Sequence, residues 1–348
     1  MINFLSSSRI TVVCLFLLFI LTFWGTIAQV QQGLYVAQDR FFNSFFFLAA
    51  GFIPFPGAQL VLWILFINLL CTTILTYKKY LRWSYAGLLI IHLGLLLYFV
   101  AAFMVFQVSK ESNVRLTKGE TTNVSTAYNE WEVAYWSDNE SKQHQVTAID
   151  TKGFKAGYVV PFTSKDFSLS VKQFYINCDA LLAPKPILKE REQNVAGGVF
   201  NVTFEGKNYT LVLFGAAVHP TPVTIAGKTY YFILRHKRYP LPFTIKLDHF
   251  NAEFHPGTDV AKSYESLVSI STGTLERQAR IFMNNPLRYK EYTLYQASYD
   301  VDQMGRQYST LAVVKNFAKI LPYIACFVVF FGLSLHFFIQ AFISKAQE

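Results

Sequence analysis

The chain has 348 residues, of which 52% are hydrophobic and only 15% charged, with 34 Phe, 20 Tyr and a formal net charge of +9. So low a charged fraction excludes a uniformly soluble globular protein and requires the apolar excess to be concentrated somewhere. The surplus of base does not point to nucleic acid, because Arg9, Lys78, Lys79, Arg82 and Lys345, which flank the apolar runs, account for much of it.

The first apolar run, residues 10–30, matches the ~20 residues that cross ~30 Å of hydrocarbon. Arg9 precedes it and Thr26-Ile27-Ala28 offers a small-residue cleavage site, so a removed signal peptide is the alternative. The run is longer than the ~7 to 15 residue core of such peptides, which favours a retained span. Residues 31–57 are too aromatic for a plain loop, with Phe41, Phe42, Phe45, Phe46 and Phe47 ahead of Pro54 and Pro56. Too short to span, this segment is expected to lie in the interface or to dip in as a re-entrant element. A loop resting on the membrane, or one covered by a partner, is the alternative.

Further spans are predicted at 58–77, 83–105 and 321–343, and none of the four runs contains Asp, Glu, Lys or Arg. The basic residues cluster in the segments before the first span, between the second and third, and after the fourth, whereas loop 31–57 offers only Asp39 and Arg40. By the positive-inside rule both termini are cytoplasmic and the long segment after the third span is outside. The expected organisation is a membrane region 1–106, an extracytoplasmic domain 107–316, and a C-terminal span with a short tail, 317–348.

Residues 107–316 read mostly in period two. Residues 200–214 alternate about a turn centred on Gly206, and 223–234 about Ala226-Gly227-Lys228, both hairpin signals. Further strands are predicted at 243–254, 263–271, 278–283, 292–298 and 308–315. The stretch 180–198 carries no clear signal. The fold class is therefore four transmembrane α-helices plus an all-β domain, an antiparallel sandwich or open barrel.

Ionisable groups inside spans are costly and usually functional, which singles out His92 and His336. Counting from the flanking cations Arg82 and Lys345 places them about 15 and 13 Å deep, so the two are expected to lie level. Antiparallel neighbours would bring both imidazoles to one site, as bis-His haem ligation requires. A histidine that only hydrogen-bonds a neighbouring helix is the plainer alternative. Gly94, Gly332 and Ser334 would let another helix or a flat ring approach. The outer histidines, His144, His219, His236, His249 and His255, show no metal-ligand spacing and are expected on surfaces or turns, so no zinc site is predicted. Of the four cysteines, Cys14, Cys71 and Cys326 fall in spans, expected as small buried hydrophobes, and Cys178 stands alone outside. With no CxxC or CxxCH, the chain is neither a thiol oxidoreductase nor itself a c-type cytochrome. No hydrolase or nucleotide motif is present.

Several short motifs stand out: Phe23-Trp24-Gly25-Thr26 with Gln29, Phe42-Asn43-Ser44, Ile53-Pro54-Phe55-Pro56-Gly57 and Ile91-His92-Leu93-Gly94. In the outer domain they continue through 116–120, 241–250 with Pro256-Gly257, Met283-Asn284-Asn285-Pro286-Leu287, Tyr292 and Tyr295-Gln296-Ala297-Ser298-Tyr299. Together, in this order and on this four-span layout, they resemble the ResB (CcsB) family of System II cytochrome c biogenesis.

The resemblance implies a subunit of a holocytochrome c synthase, or haem lyase, in a bacterial cytoplasmic membrane, moving haem outward for attachment to the CxxCH cysteines of apocytochrome c. It implies a ResC (CcsA) partner carrying the tryptophan-rich haem segment, none of which is visible here, and indirectly a thioredoxin-like thiol reductant. It also implies a haem role for His92; the addition of His336 rests on depth alone. Two other readings stay open: a scaffold that captures apocytochrome c or braces the partner without binding haem, and a sensor of an outer ligand. The short cytoplasmic segments, which leave no output domain, weigh against the sensor.

Overall fold

The computed structural model describes residues 2–79, 83–137, 145–161, 167–179, 184–187, 194–258, 261–273 and 275–345. Two compact units result, Met1–Ser109 with Asn316–Glu348, and Lys110–Lys315.

The first unit begins with a turn of helix α1 (Ile2–Leu5) and the long α2 (Ser8–Gln32). Ser7 caps α2 by accepting from the Arg9 N–H, and Gly33, at φ 84°, turns the chain out of it. Helix α3 (Leu34–Ala37), a π-helical turn (Gln38–Phe42) and the hairpin β1 (Phe46–Ala49) and β2 (Ile53–Pro56) follow. Then come α4 (Ala58–Lys79), a 3-10 turn (Trp83–Tyr85), α5 (Ala86–Val108) and, after the second unit, α6 (Leu321–Lys345). Four of these helices are long and apolar enough to span, at Ser8–Gln32, Ala58–Tyr77, Trp83–Val108 and Leu321–Ile343. All four coincide with the predicted runs.

Asn68 of α4 is buried and ties the start of α2 to α4: its Oδ1 accepts from Thr11 at 2.8 Å while Nδ2 donates to the carbonyls of Leu5 (2.5 Å) and Ser7 (3.1 Å). Such side-chain bonds hold apolar helices together where burial gives no drive. Helices α5 and α6 use a different device. A Cβ on Gly87 would lie 2.5 Å from the Cα and N of His336, and one on Gly332 would lie 2.8 Å from the N of Ile91. The two backbones therefore touch, which only glycine allows.

The second unit contains β3 (Lys110–Thr117), β4 (Thr121–Ser137), β5 (Thr147–Asp150), β6 (Val159–Val160), β7 (Ser168–Tyr175), β8 (Cys178–Asp179) and β9 (Lys185–Pro186). It continues with β10 (Gly197–Phe204), β11 (Lys207–Phe214), β12 (Thr221–Ile225), β13 (Lys228–Phe254), β14 (Ala261–Thr272) and β15 (Leu275–Phe282). It ends with β16 (Leu287–Tyr289), β17 (Tyr292–Val301) and β18 (Gln307–Lys315). Among the described residues every strand pairing is antiparallel, in the order β15-β14-β13-β4-β3-β18-β17-β16 with β12 on β13 and β5 on β4, and separately β11-β10-β7-β6.

Both predicted architectures occur, one in each half of this unit. The four-stranded sheet packs Leu169, Phe200 and Leu211 against Val133, Phe232 and Leu234 of the larger sheet, forming a sandwich core. The rest of the larger sheet rolls around Leu116, Ile245, Leu247, Val268, Leu294 and Leu311, and β15 comes against β16 and β17 near the Phe282–Asn285 bridge, an open barrel. Strand β13 runs through both. Its ladder with β4 breaks after His236 and again after Pro240, and these bulges redirect the strand from one core to the other. Two-residue turns at Glu205-Gly206 (φ 45° and 76°) and Ala226-Gly227 (φ 49° and 78°) close the two predicted hairpins.

Candidate functional site

Helix α5 is apolar all round, so its faces are told apart by what they touch. Gly87, Ile91 and Gly94 lie against His336, Gly332 and Val329 of α6. Phe99 and Phe103 pair instead with Phe66 and Trp63 of α4, at ring separations of 5.9 and 5.8 Å. His92 stands seven residues before Phe99, two turns down the same stripe. It therefore belongs to the α4-facing side, near the level of Thr73, whose buried hydroxyl is bound to the Leu69 carbonyl of its own helix.

This arrangement corrects the expected level pair. The α5–α6 contacts set residue 331, not 336, opposite His92, so His336 lies five residues further along, about 7.5 Å at 1.5 Å per residue. His336 also sits in the seam where the helix backbones touch at Gly87, which leaves no gap there for a flat ring. The two imidazoles do not face each other across a shared space. What they share is an orphan atom: Nδ1 of each is buried without a hydrogen-bond partner among the described residues. An unpaired buried polar nitrogen costs about 1–3 kcal/mol, and a neutral imidazole in apolar surroundings is suited to bind a metal-centred ligand. For His92 the chemistry fits a haem iron.

In the β unit, His219, His249 and His255 are exposed as expected, and His144 lies outside the described residues. His236 departs from expectation. It is half-buried on β13, stacked on Trp131 of β4 with ring centroids 4.0 Å apart, and its Nδ1 is a third orphan. Burial lowers its pKa below the usual histidine value. The adjoining residues are ionic: Glu132, buried, accepts from Arg235 Nε at 2.8 Å and from the Arg238 N–H at 3.3 Å. Lys237 reaches Asp150 and Glu130, and these bonds outweigh burial to hold its pKa above the ordinary lysine value. Isolated in a run of Arg and Lys, His236 gave no local signal; only its pairing with Trp131 buries it.

Cys178 is buried and free, as are Cys14 and Cys71, whereas Cys326 is exposed on α6, contrary to its expected burial. Among the described residues no cluster of three or more His, Cys, Asp or Glu is placed to hold a metal ion. A cleft of about 130 Å³ opens between β11 and β13, with His219 and Thr221 in its lining.

The motifs behind the resemblance mostly close the fold. Gly25 receives the Phe42 ring, since a Cβ there would lie 2.9 Å from it, and Gly57 receives the Ser44 carbonyl, which a Cβ would approach to 2.1 Å. Asn284 turns between β15 and β16 at φ 63°. Gln296 binds Ser266 (2.7 Å) and Ser309 (3.0 Å), while Ala297, bulged out of the β17 ladder, accepts from the Tyr264 hydroxyl at 3.2 Å.

Comparison with known proteins bears on those motifs that lie in the outer domain between residues 241 and 299. Residues 197–306 match the ResB-like family. A stretch of 96 residues is 32% identical to protein NrfI of Wolinella succinogenes, covering 27% of this chain and 10% of that protein. The chain thus spans only about a tenth of the length of the curated relative it matches.

Proposed function

From the match of residues 197–306 to the ResB-like family, we propose that the chain is a member of that family and serves cytochrome c biogenesis as a membrane subunit of a System II haem lyase. In this reading it spans a bacterial cytoplasmic membrane with both termini inside and the β unit outside. It acts with a ResC-type partner to move haem outward and present it to apocytochrome c, whose CxxCH thiols are kept reduced by a thioredoxin-like protein. Haem is the cargo, and its vinyl groups are where the thiols add.

The observation that carries the proposal is His92: an imidazole nitrogen inside an apolar helix, buried and without a partner. Nothing in the described residues uses that nitrogen, and an iron would. His92 is then the residue of this chain that would hold haem, and a second ligand to the iron would come from the partner or be absent. His336, sealed against Gly87, takes part only if α5 and α6 separate.

The test is to purify the chain with and without its partner in detergent, record the haem absorption spectrum, and repeat with His92→Ala. Loss or shift of the Soret band together with impaired cytochrome c maturation is expected. An unchanged band with normal maturation removes His92 from the haem path. Replacing His336 alone is expected to leave the band in place.

A scaffold role is the second reading, favoured by the cleft beside β11. That strand ends its sheet, so its outer edge is available to an extended apocytochrome segment by strand addition.

A further inference from the structure

The hairpin of β1 and β2 is apolar on both sides. Its inner side, Phe47 with Phe55, packs on Trp24 of α2 with ring centroids 5.6 and 5.7 Å away. Its outer side leaves Phe46, Leu48 and the tip residue Phe52 exposed, Phe52 by 73%. Trp24 lies six residues inside the end of the apolar run of α2, about 9 Å at 1.5 Å per residue. The hairpin therefore folds back along α2 into the zone that the span itself occupies, and from Phe41 to Tyr77 the chain holds no Asp, Glu, Lys or Arg.

An isolated hairpin in hydrocarbon faces one objection, the unpaired backbone groups of its two edges. Here the edges are prepared. In an antiparallel pair alternate residues turn their N–H and C=O outward. Pro54 and Pro56 alternate on β2 with Ile53 and Phe55, and proline has no N–H to leave unpaired. On β1 the residue opposite Pro54 is Leu48, and its carbonyl accepts from the Arg40 guanidinium at 2.7 Å. Arg40 itself lies 5.5 Å from the centres of the Phe41 and Phe47 rings, a side chain laid along aromatic surface with its charge engaged.

We propose that this hairpin is inserted into the bilayer, in the leaflet where α2 ends and α4 begins, and that lipid acyl chains cover Phe46, Leu48 and Phe52. The occupant is lipid because the exposed face continues the apolar surface of the spans and carries no charged or hydrogen-bonding side chain to meet water or a polar partner. The inference does not depend on haem or on His92.

The test places a nitroxide on Phe52→Cys, and separately on Leu48→Cys, in the full chain reconstituted in liposomes, with Cys326→Ala removing the exposed native thiol. The Cys326→Ala parent measures any residual labelling. Collision rates with oxygen, which concentrates in lipid, and with a water-soluble nickel complex are compared, with Val218→Cys, 83% exposed on the β unit, as the aqueous reference. Oxygen contact well above nickel contact at both hairpin sites, and the reverse at Val218, is expected. Nickel contact at the hairpin equal to that at Val218 overturns the proposal, as does exclusion of both reagents, which would mean protein cover.

Discussion

Gly87→Ala tests the α5–α6 seam, because two physical effects act on it with opposite sign. Gly87 is the second residue of α5, so alanine there raises helix stability by at most the ~1 kcal/mol of an interior position. Against that, the new methyl would lie 2.5 Å from the His336 Cα and N and 2.6 Å from its Cβ, where ordinary carbon contacts need about 3.5–4.0 Å. Two of those atoms are backbone, so no rotamer change relieves them and the helices must part by about 1 Å. A gap of that size forfeits about a quarter to a half of each facing dispersion contact, and overpacking of this kind costs about 1–3 kcal/mol. Near the upper end, the net loss is about 2 kcal/mol. Thermal unfolding of the full chain in detergent, followed by size-exclusion fluorescence, reads it as a midpoint lowered by a few degrees. Gly332→Ala meets Ile91 N at 2.8 Å and acts the same way. The double variant should lose less than the sum, because one separation relieves both clashes. A midpoint that stays or rises with Gly87→Ala refutes the contact and, with it, the statement that His336 is sealed.

Two further outcomes concern the β unit. Glu132→Leu strands Arg235, whose side chain is only 19% exposed and whose partner is 6% exposed, and is expected to cost about 3–5 kcal/mol; adding Arg235→Met should restore most of the loss in the same melt, and simple additivity would count against the pair. Burial lowers the pKa of His236 and so favours its neutral form in the fold. The unfolded chain therefore takes up its proton first as pH falls, and stability declines as pH drops below the ordinary value of 6.5 and is level above it. His236→Phe, which keeps the stack on Trp131, should flatten that decline between about pH 5 and 7; an equal slope in both chains rules out His236 as its source.

The spans and the hairpin turns were legible because both depend on local chemistry: unbroken apolar runs, and a residue such as Gly206 or Gly227 that accepts positive φ. The relative height of His92 and His336 was not. Flanking cations mark where a span meets water, while helix register is set by which backbones can touch, here at Gly87 and Gly332. The length of β13 was hidden for a related reason. Its bulges around Lys237 and at residues 241–244 interrupt the period-two pattern, so one strand reads as two. His236 reads as a surface residue because burial in a sheet depends on the partner strand, and Trp131 is remote in sequence.

The matched residues 197–306 begin in β10 and stop just before β18. They include all of β13 but omit β4, its partner through the sandwich, and β3 and β18, which complete the rolled sheet. A fragment cut to those limits would carry a 27-residue strand with one long edge stripped of its neighbour, about half of the sandwich core missing, and Val114, Leu116, Leu311 and Val313 gone from the other core. The matched segment is thus not a portable module. Whatever it contributes must be inherited together with the flanking strands.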